Sequence, residues 1–279
     1  MKKYLPITPG LRYRKLSLFP KANIKVPKNL RLNWKRSFGR NVTGNITSFH
    51  RGGGHKKQYI NIDFGYANHG KDAESAIILD IKYDSFRTSF IGLILYLNGK
   101  LKGTKRYILL THNMDIGNII FFGKNSPIQK GNSLPLSYIP LGSYIYNIEL
   151  NKNKGAALVR SAGSKAQLLS IDDKYATIKL PSGEIRLISK NSYCILGNPS
   201  HSTNALQNLG KAGSNRHKSI RPTVRGGAMN PCDHPHGGGE GRNPIGRKLP
   251  YTHFGKPGRG IKTRSNKKLS NRYILQVKS

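Results

Sequence analysis

The chain has 279 residues, a hydrophobic fraction of 36% and a formal net charge of +36, from 48 Lys and Arg against 12 Asp and Glu. The apolar content is below the roughly 45–50% usual for a compact globular protein, so part of the chain lacks a core of its own, and the length allows about two domains. A free soluble protein gains nothing from self-repulsion on this scale, so the charge calls for a polyanionic partner.

The charge is unevenly spread. Residues 1–60 hold 15 Lys and Arg and no acid, residues 61–204 hold 17 basic and 10 acidic residues, and residues 205–279 hold 16 basic residues against Asp233 and Glu240. A near-balanced middle therefore lies between two basic arms interspersed with Gly, Pro, Asn and Ser. The first arm, residues 1–58, reads as irregular, with Arg12, Arg14, Lys15, Lys35, Arg36 and Arg40 interleaved with Tyr13, Phe19, Trp34 and Phe38. Cations there neutralise phosphates, and the aromatics either stack on unpaired bases or dock the arm on its own domain. The arm ends in Arg51-Gly-Gly-Gly-His-Lys-Lys57. This run lacks the spacing of a nucleotide-cradling loop and fits a contact with a phosphate backbone.

Residues 59–131 alternate as half-buried strands, with Ile60, Ile62 and Phe64 on one face and further strands at Ala76–Ile81, Phe90–Leu97, Arg106–Leu110 and Asn118–Phe122. Short strands without a convincing helix predict an oligonucleotide-binding (OB) barrel. Residues 132–203 predict an SH3-like barrel from Ser143–Leu150, Ala157–Arg160, Ala166–Ile171, Tyr175–Leu180, Glu184–Ser189 and Tyr193–Leu196, with a hairpin turn at Pro181-Ser182-Gly183. Thr203 or Asn204 is placed to cap a short helix ending at Gly210. Periodicity then vanishes, and the tail of the 204–279 extension is expected to order only on a partner, although Tyr273–Val277 is apolar enough to dock on a surface. The fold class is thus mainly β, with two small barrels and long basic, irregular extensions at both ends.

Two cysteines, Cys194 and Cys232, make no disulfide framework and fit a reducing compartment. Cys194 lies in an apolar strand as a small hydrophobe. The longest apolar run, Phe90–Leu97, is too short to span a bilayer, so no membrane insertion is expected. Pro6, Pro9, Gly10 and Pro20 break the amphipathic helix of a transit peptide, so no cleavable presequence is expected.

The most distinctive stretch is Gly226-Gly-Ala-Met-Asn-Pro-Cys-Asp-His-Pro-His-Gly-Gly-Gly-Glu-Gly-Arg242. Its Pro and Gly residues exclude helix and central strand and specify a shaped loop. Cys232, His234 and His236 could be metal ligands, but zinc sites usually draw on two separated pairs and no second pair is present. Cys232 and His234 could be a nucleophile and base, but no orienting third group or substrate pocket is evident. Nucleic-acid contact accounts for the whole neighbourhood: imidazoles donate and accept, glycines permit close approach, and Arg225, Arg242 and Arg247 can fork onto phosphates.

This loop resembles the signature loop of universal large-subunit ribosomal protein two, where Val usually stands in place of Cys232. Similar stretches follow in the family's order: Arg51–Lys56, Ile81–Asp84, Lys105–Leu109, Ile139–Gly142, Leu180–Arg186, Gly210–Gly213, Arg221–Arg225 and Lys262–Lys267. Lys100–Thr104 looks like a small insertion, and residues 1–40 match only loosely outside Thr8-Pro-Gly10. The resemblance implies a structural constituent of the large subunit, not an enzyme, that binds rRNA and supports subunit association and a peptidyl-transferase centre whose catalyst is RNA. Its implied partners are large-subunit rRNA, other large-subunit proteins and the small subunit across the interface, with no free homo-oligomer. It implies no cofactor, metal site or catalytic residue, and any structural Mg ions are bound mainly by the rRNA.

Together with the residue reading, the resemblance places rRNA contacts at Arg51, Gly53, His55, Lys56 and Lys57. In the tail it places them at Arg216, Arg221, Arg225, Asn230, His234, His236, Arg242, Arg247, Lys248, Lys262 and Arg264. Asp233 and His234 match positions that support the peptidyl-transferase region. Abundant Ile, Lys, Tyr and Asn point to an A+T-rich organellar gene, hence a mitochondrion, with plastid or bacterial cytoplasm as alternatives. The competing reading is a free-standing OB-type RNA chaperone or single-strand RNA binder.

Overall fold

The computed structural model describes residues 1–65, 74–241 and 244–277. Short strands accompany the N-terminal arm: β1 (Lys2–Lys3) pairs with β2 (Lys15–Leu16), and β3 (Arg31–Leu32) with β4 (Tyr59–Ile60). The OB-type barrel follows with β5 (Glu74–Lys82), β6 (Ile91–Tyr96), β7 (Lys105–Leu109) and β8 (Ile119–Phe122). β5, β6 and β7 form an antiparallel meander, β8 returns to β5, and Ile62 bridges in parallel to Tyr107.

The SH3-like barrel begins with β9 (Ser133–Pro135), β10 (Tyr144–Tyr146), β11 (Ile148–Glu149) and β12 (Ala156–Leu158). It is completed by β13 (Ala166–Ile171), β14 (Tyr175–Lys179), β15 (Ile185–Ser189) and β16 (Tyr193–Leu196). Most of these strands match the expected ones within one or two residues. The expected Ser143–Leu150 strand is split, because Asn147 turns left-handed (φ +51°) between β10 and β11. Asn tolerates that region better than the flanking Tyr146 and Ile148 would.

The barrels meet at a common wall. β8 and β9 pair in parallel at Phe122 and Ser133, and Tyr146 and Ile195 of the second barrel are buried in the core of the first. That core contains Ile78, Ile91, Leu93, Ile94, Tyr107, Ile120 and Phe122, whereas Leu134, Leu136, Ile145, Ile148, Leu168 and Ile178 fill the second. Cys194 is buried there, as expected of a small hydrophobe.

The N-terminal arm is less irregular than its sequence. A bulge in β5 between Ile78 and Asp80 accompanies an inward-facing Asp80, only 1% exposed, whose carboxylate accepts the backbone N–H groups of Asn23 (3.2 Å) and Ile24 (3.0 Å). Val26 is buried in the first core, and Lys15 exchanges backbone hydrogen bonds with Asn208 at 2.9 and 2.8 Å. Trp34 docks on its own domain, with its ring 5.6 Å from that of Tyr59 and 5.2 Å from that of Phe86.

The expected helix after residue 203 is only a 3-10 turn, Ser202–Leu206. It follows His201 in a left-handed conformation (φ +64°), and no side chain caps it. A six-residue helix, α1 (Ala212–His217), occurs instead where no periodicity was legible, because all of its residues lack a buried face. β17 (Ile274–Gln276) pairs with β15, and Tyr273 lies 5.8 Å from the ring of Tyr175, so the last apolar stretch does dock.

Backbone proximity separates two compact units. One contains Met1–Lys35, Lys56–Lys211 and the chain from Arg272; the other combines Arg36–His55 with Ala212–Asn271. The second unit thus draws on both basic arms.

Candidate nucleic-acid interface

Within this second unit, the glycine turn of the first arm pairs with the segment after α1. Arg51 bridges Ile220, Gly52 N–H donates to Ser219 O at 3.1 Å, and His55 N–H donates to His217 O at 3.2 Å. The Ser219 hydroxyl donates to Gly53 O at 2.8 Å, and Arg36 donates to Gly54 O at 2.9 Å. Gly54 is left-handed (φ +82°), and a Cβ there would lie 2.7 Å from Ser219 N and 2.8 Å from His217 O. Only glycine lets the two segments approach so closely. The His55 and His217 rings stack at 4.6 Å. Arg51, His55, Arg216 and Arg221 are thereby gathered into one exposed basic strip from segments far apart in sequence.

Lys56 and Lys57 belong to the first unit. Lys56 is exposed, whereas Lys57 is half-buried, with its Nζ 5.6 Å from the Phe86 ring centre.

The Gly226–Gly241 segment closes on itself. Asn230 O accepts the N–H groups of Asp233 (3.0 Å) and His234 (3.2 Å), Gly237 donates to His234 O at 2.9 Å, and Gly238 donates to Met229 O at 3.0 Å. A Cβ on Gly237 would lie 2.2 Å from Asn230 O, and one on Gly226 would lie 2.4 Å from the His234 ring. The close approach anticipated from these glycines is therefore, at Gly226 and Gly237, the loop's contact with itself.

Both imidazoles serve the same closure. His234 Nδ1 accepts His236 N–H at 3.1 Å, and His236 Nε2 accepts Tyr251 N–H at 3.0 Å. A neutral ring that accepts at one nitrogen carries its proton on the other, so His234 has Nε2–H and His236 has Nδ1–H left to donate. Partial burial, then the imidazoles of His236 and His253, lower the pKa of His234 below its ordinary value. The neutral form is thus favoured by folding, and its contribution is present above the ordinary imidazole range and lost as pH falls through the lowered value. An NMR titration of the ring should show a midpoint below that of an unperturbed histidine side chain; a midpoint at or above it would contradict this geometry.

The other expected contacts are dispersed. Arg225, Asn230 and Asp233 are exposed around the loop, Arg247 lies over Tyr251 at 5.0 Å, and Lys248 and Lys262 face solvent. Arg264 is engaged within the tail, donating to Asn271 Oδ1 at 2.6 Å and Ser270 Oγ at 2.8 Å. Arg242 lies outside the described residues. Cys232 is an exposed free thiol, and among the described residues no three His, Cys, Asp or Glu side chains gather as a metal site. Burial, and then Glu149, raise the pKa of the Cys194 thiol.

Sequence reading missed Arg36, His217, Ser219 and Tyr251 as parts of this framework. Ser219 and Gly53 stand 166 residues apart, and nothing in the local pattern of either announces the contact.

Comparison with known families gives two matches. Residues 27–122 match Ribosomal Proteins L2, RNA binding N-terminal domain, and residues 129–255 match Ribosomal Proteins L2, C-terminal domain. The first covers part of the arm and the OB-type barrel, and the second runs from the SH3-like barrel through the histidine loop.

Proposed function

Because the chain belongs to the ribosomal protein L2 family, and is a structural, rRNA-binding constituent of the large ribosomal subunit, we propose that its second compact unit is the part that penetrates rRNA. The observation that carries this reading is a closed histidine loop in the same unit as an exposed strip of Arg51, His55, Arg216 and Arg221. Arginines and backbone N–H groups in that unit neutralise and position phosphates, while His234 Nε2–H and His236 Nδ1–H are donors held in set directions. Gly53, Arg225, Asn230, Arg247, Lys248 and Lys262 extend the contact within this unit, and Lys56 and Lys57, which belong to the first unit, contact rRNA in their own right. Asp233 and His234 support the peptidyl-transferase region by shaping RNA, and the unit takes part in subunit association. Magnesium in this setting is held mainly by the rRNA. The abundance of Asn, Ile, Lys and Tyr supports a mitochondrial ribosome.

The test compares Arg225→Ala with His234→Ala, following large-subunit assembly by sedimentation and rRNA affinity against salt. Arg225→Ala should weaken binding and reduce the salt slope by about one counterion. His234→Ala should leave that slope unchanged and lower peptide-bond formation in assembled subunits. If neither variant alters assembly, subunit joining or peptide-bond formation, the loop is not the functional centre. Equal affinity of the unmodified chain for generic oligonucleotides and large-subunit rRNA would instead indicate a free-standing RNA chaperone.

A further inference from the structure

Trp34 lies outside the unit just discussed and has an unusual setting. It is 53% exposed although its ring stacks at 5.6 Å, 23° from parallel, on Tyr59 and meets the edge of Phe86 at 5.2 Å. The aromatics beneath it are held in place: Arg87 donates to Tyr59 Oη at 3.0 Å, with its guanidinium 5.2 Å from the Tyr59 ring centre. One side of the indole is therefore supported and fixed, while about half of its surface faces solvent.

The surrounding charge favours an anion. Lys35 is exposed next to Trp34, Lys57 lies over Phe86, and no acidic residue precedes Asp63. Asp84, on the loop that carries Phe86, is 1% exposed and paired with Arg87. A supported, exposed indole with Lys35 beside it and Lys57, which donates to Ser85 O at 3.4 Å, nearby has the two elements of a single-strand contact, a π face for a base and positive charge for the backbone beside it. A duplex supplies the phosphates but keeps its bases stacked internally.

We propose that Trp34, backed by Tyr59 and Phe86, is a stacking platform for one unpaired base of single-stranded RNA, with Lys35 and Lys57 receiving the adjoining phosphates. This site adds a single-strand specificity to the first compact unit and uses no residue of the histidine loop.

Trp34 is the only tryptophan of the chain, so its emission reports on this site alone. The full chain is titrated with a six-nucleotide adenylate strand, with an RNA duplex of equal phosphate count, and with heparin. The single strand should quench the emission saturably, whereas the duplex and heparin should bind without comparable quenching. Trp34→Leu should weaken single-strand binding roughly 5- to 150-fold while leaving duplex binding unchanged. Trp34→Phe, which keeps a π face, should retain most of the affinity. The platform is refuted by equal quenching from all three polyanions, by unchanged single-strand affinity in Trp34→Leu, or by preferential quenching from the duplex or heparin. Such a failure would leave the reading of the histidine loop intact, because that reading rests on assembly of variants in the other unit.

Discussion

Replacing Gly237 with alanine is expected to reduce the yield of assembled large subunits by one to two orders of magnitude. The added Cβ would lie 2.2 Å from Asn230 O, 2.5 Å from Asn230 C and 2.7 Å from Met229 O. These are backbone atoms, so no side-chain rotation relieves the clash. Nor can the backbone shift freely, because Asn230 O already accepts Asp233 and His234 N–H and Met229 O accepts Gly238 N–H. Overpacking of this kind costs about 1–3 kcal/mol, and its effect falls on the hydrogen bonds that orient His234. Gly227→Ala is the control, since a Cβ there meets only His236 O at an ordinary 3.9 Å. Gradient sedimentation should separate the two variants; identical profiles would mean that loop closure does not govern assembly.

The second large effect is expected at Asp80. Its carboxylate accepts N–H groups from Asn23 and Ile24, and also from Ile81 at 3.0 Å, in a site only 1% exposed. Removing it leaves the arm's donors at Asn23 and Ile24 without their acceptor. At about 1.5–3 kcal/mol for each hydrogen bond to a charged group, Asp80→Ala should cost on the order of 3 kcal/mol and release the arm from the barrel. Trypsin should then cleave rapidly at Lys21 and Lys25, with a lower denaturation midpoint, while Asp80→Asn, which keeps one acceptor, should fall between. Unaltered cleavage in Asp80→Ala would show that the arm is held by other contacts.

The two barrels were legible in the sequence because their strands bury one face. Glu74–Lys82 alternates buried and half-buried positions along most of its length, and alternation with period two is a local property. Hairpins such as β14–β15 announce themselves through Pro181-Ser182-Gly183, where Gly183 has φ +90°. The three-residue β9 was not read as a strand; it is short and ends in Pro135, and it owes its pairing with β16 to tertiary packing.

The arms were harder to read for a physical reason. Asp80 looks like any strand acid until its bond to Ile24, 56 residues away, is seen. The signature loop was found through residue types, but the purpose of its glycines was not visible there. Steric exclusion at Gly237 depends on where Asn230 O turns, which composition does not encode. Trp34 left two readings open, docking and base stacking; the contacts establish the first, while the exposed remainder motivates the second.

The pairing of the two arms also imposes an order in time. At translation rates of roughly 5–20 residues per second, the 166 residues between Gly53 and Ser219 take on the order of 10–30 s to synthesise. During that interval both barrels can close, while the Arg51–His55 turn remains without its partner. Nascent chains halted before Ser219 should therefore contain folded barrels but leave this glycine turn accessible to protease, making the second compact unit the late product of synthesis.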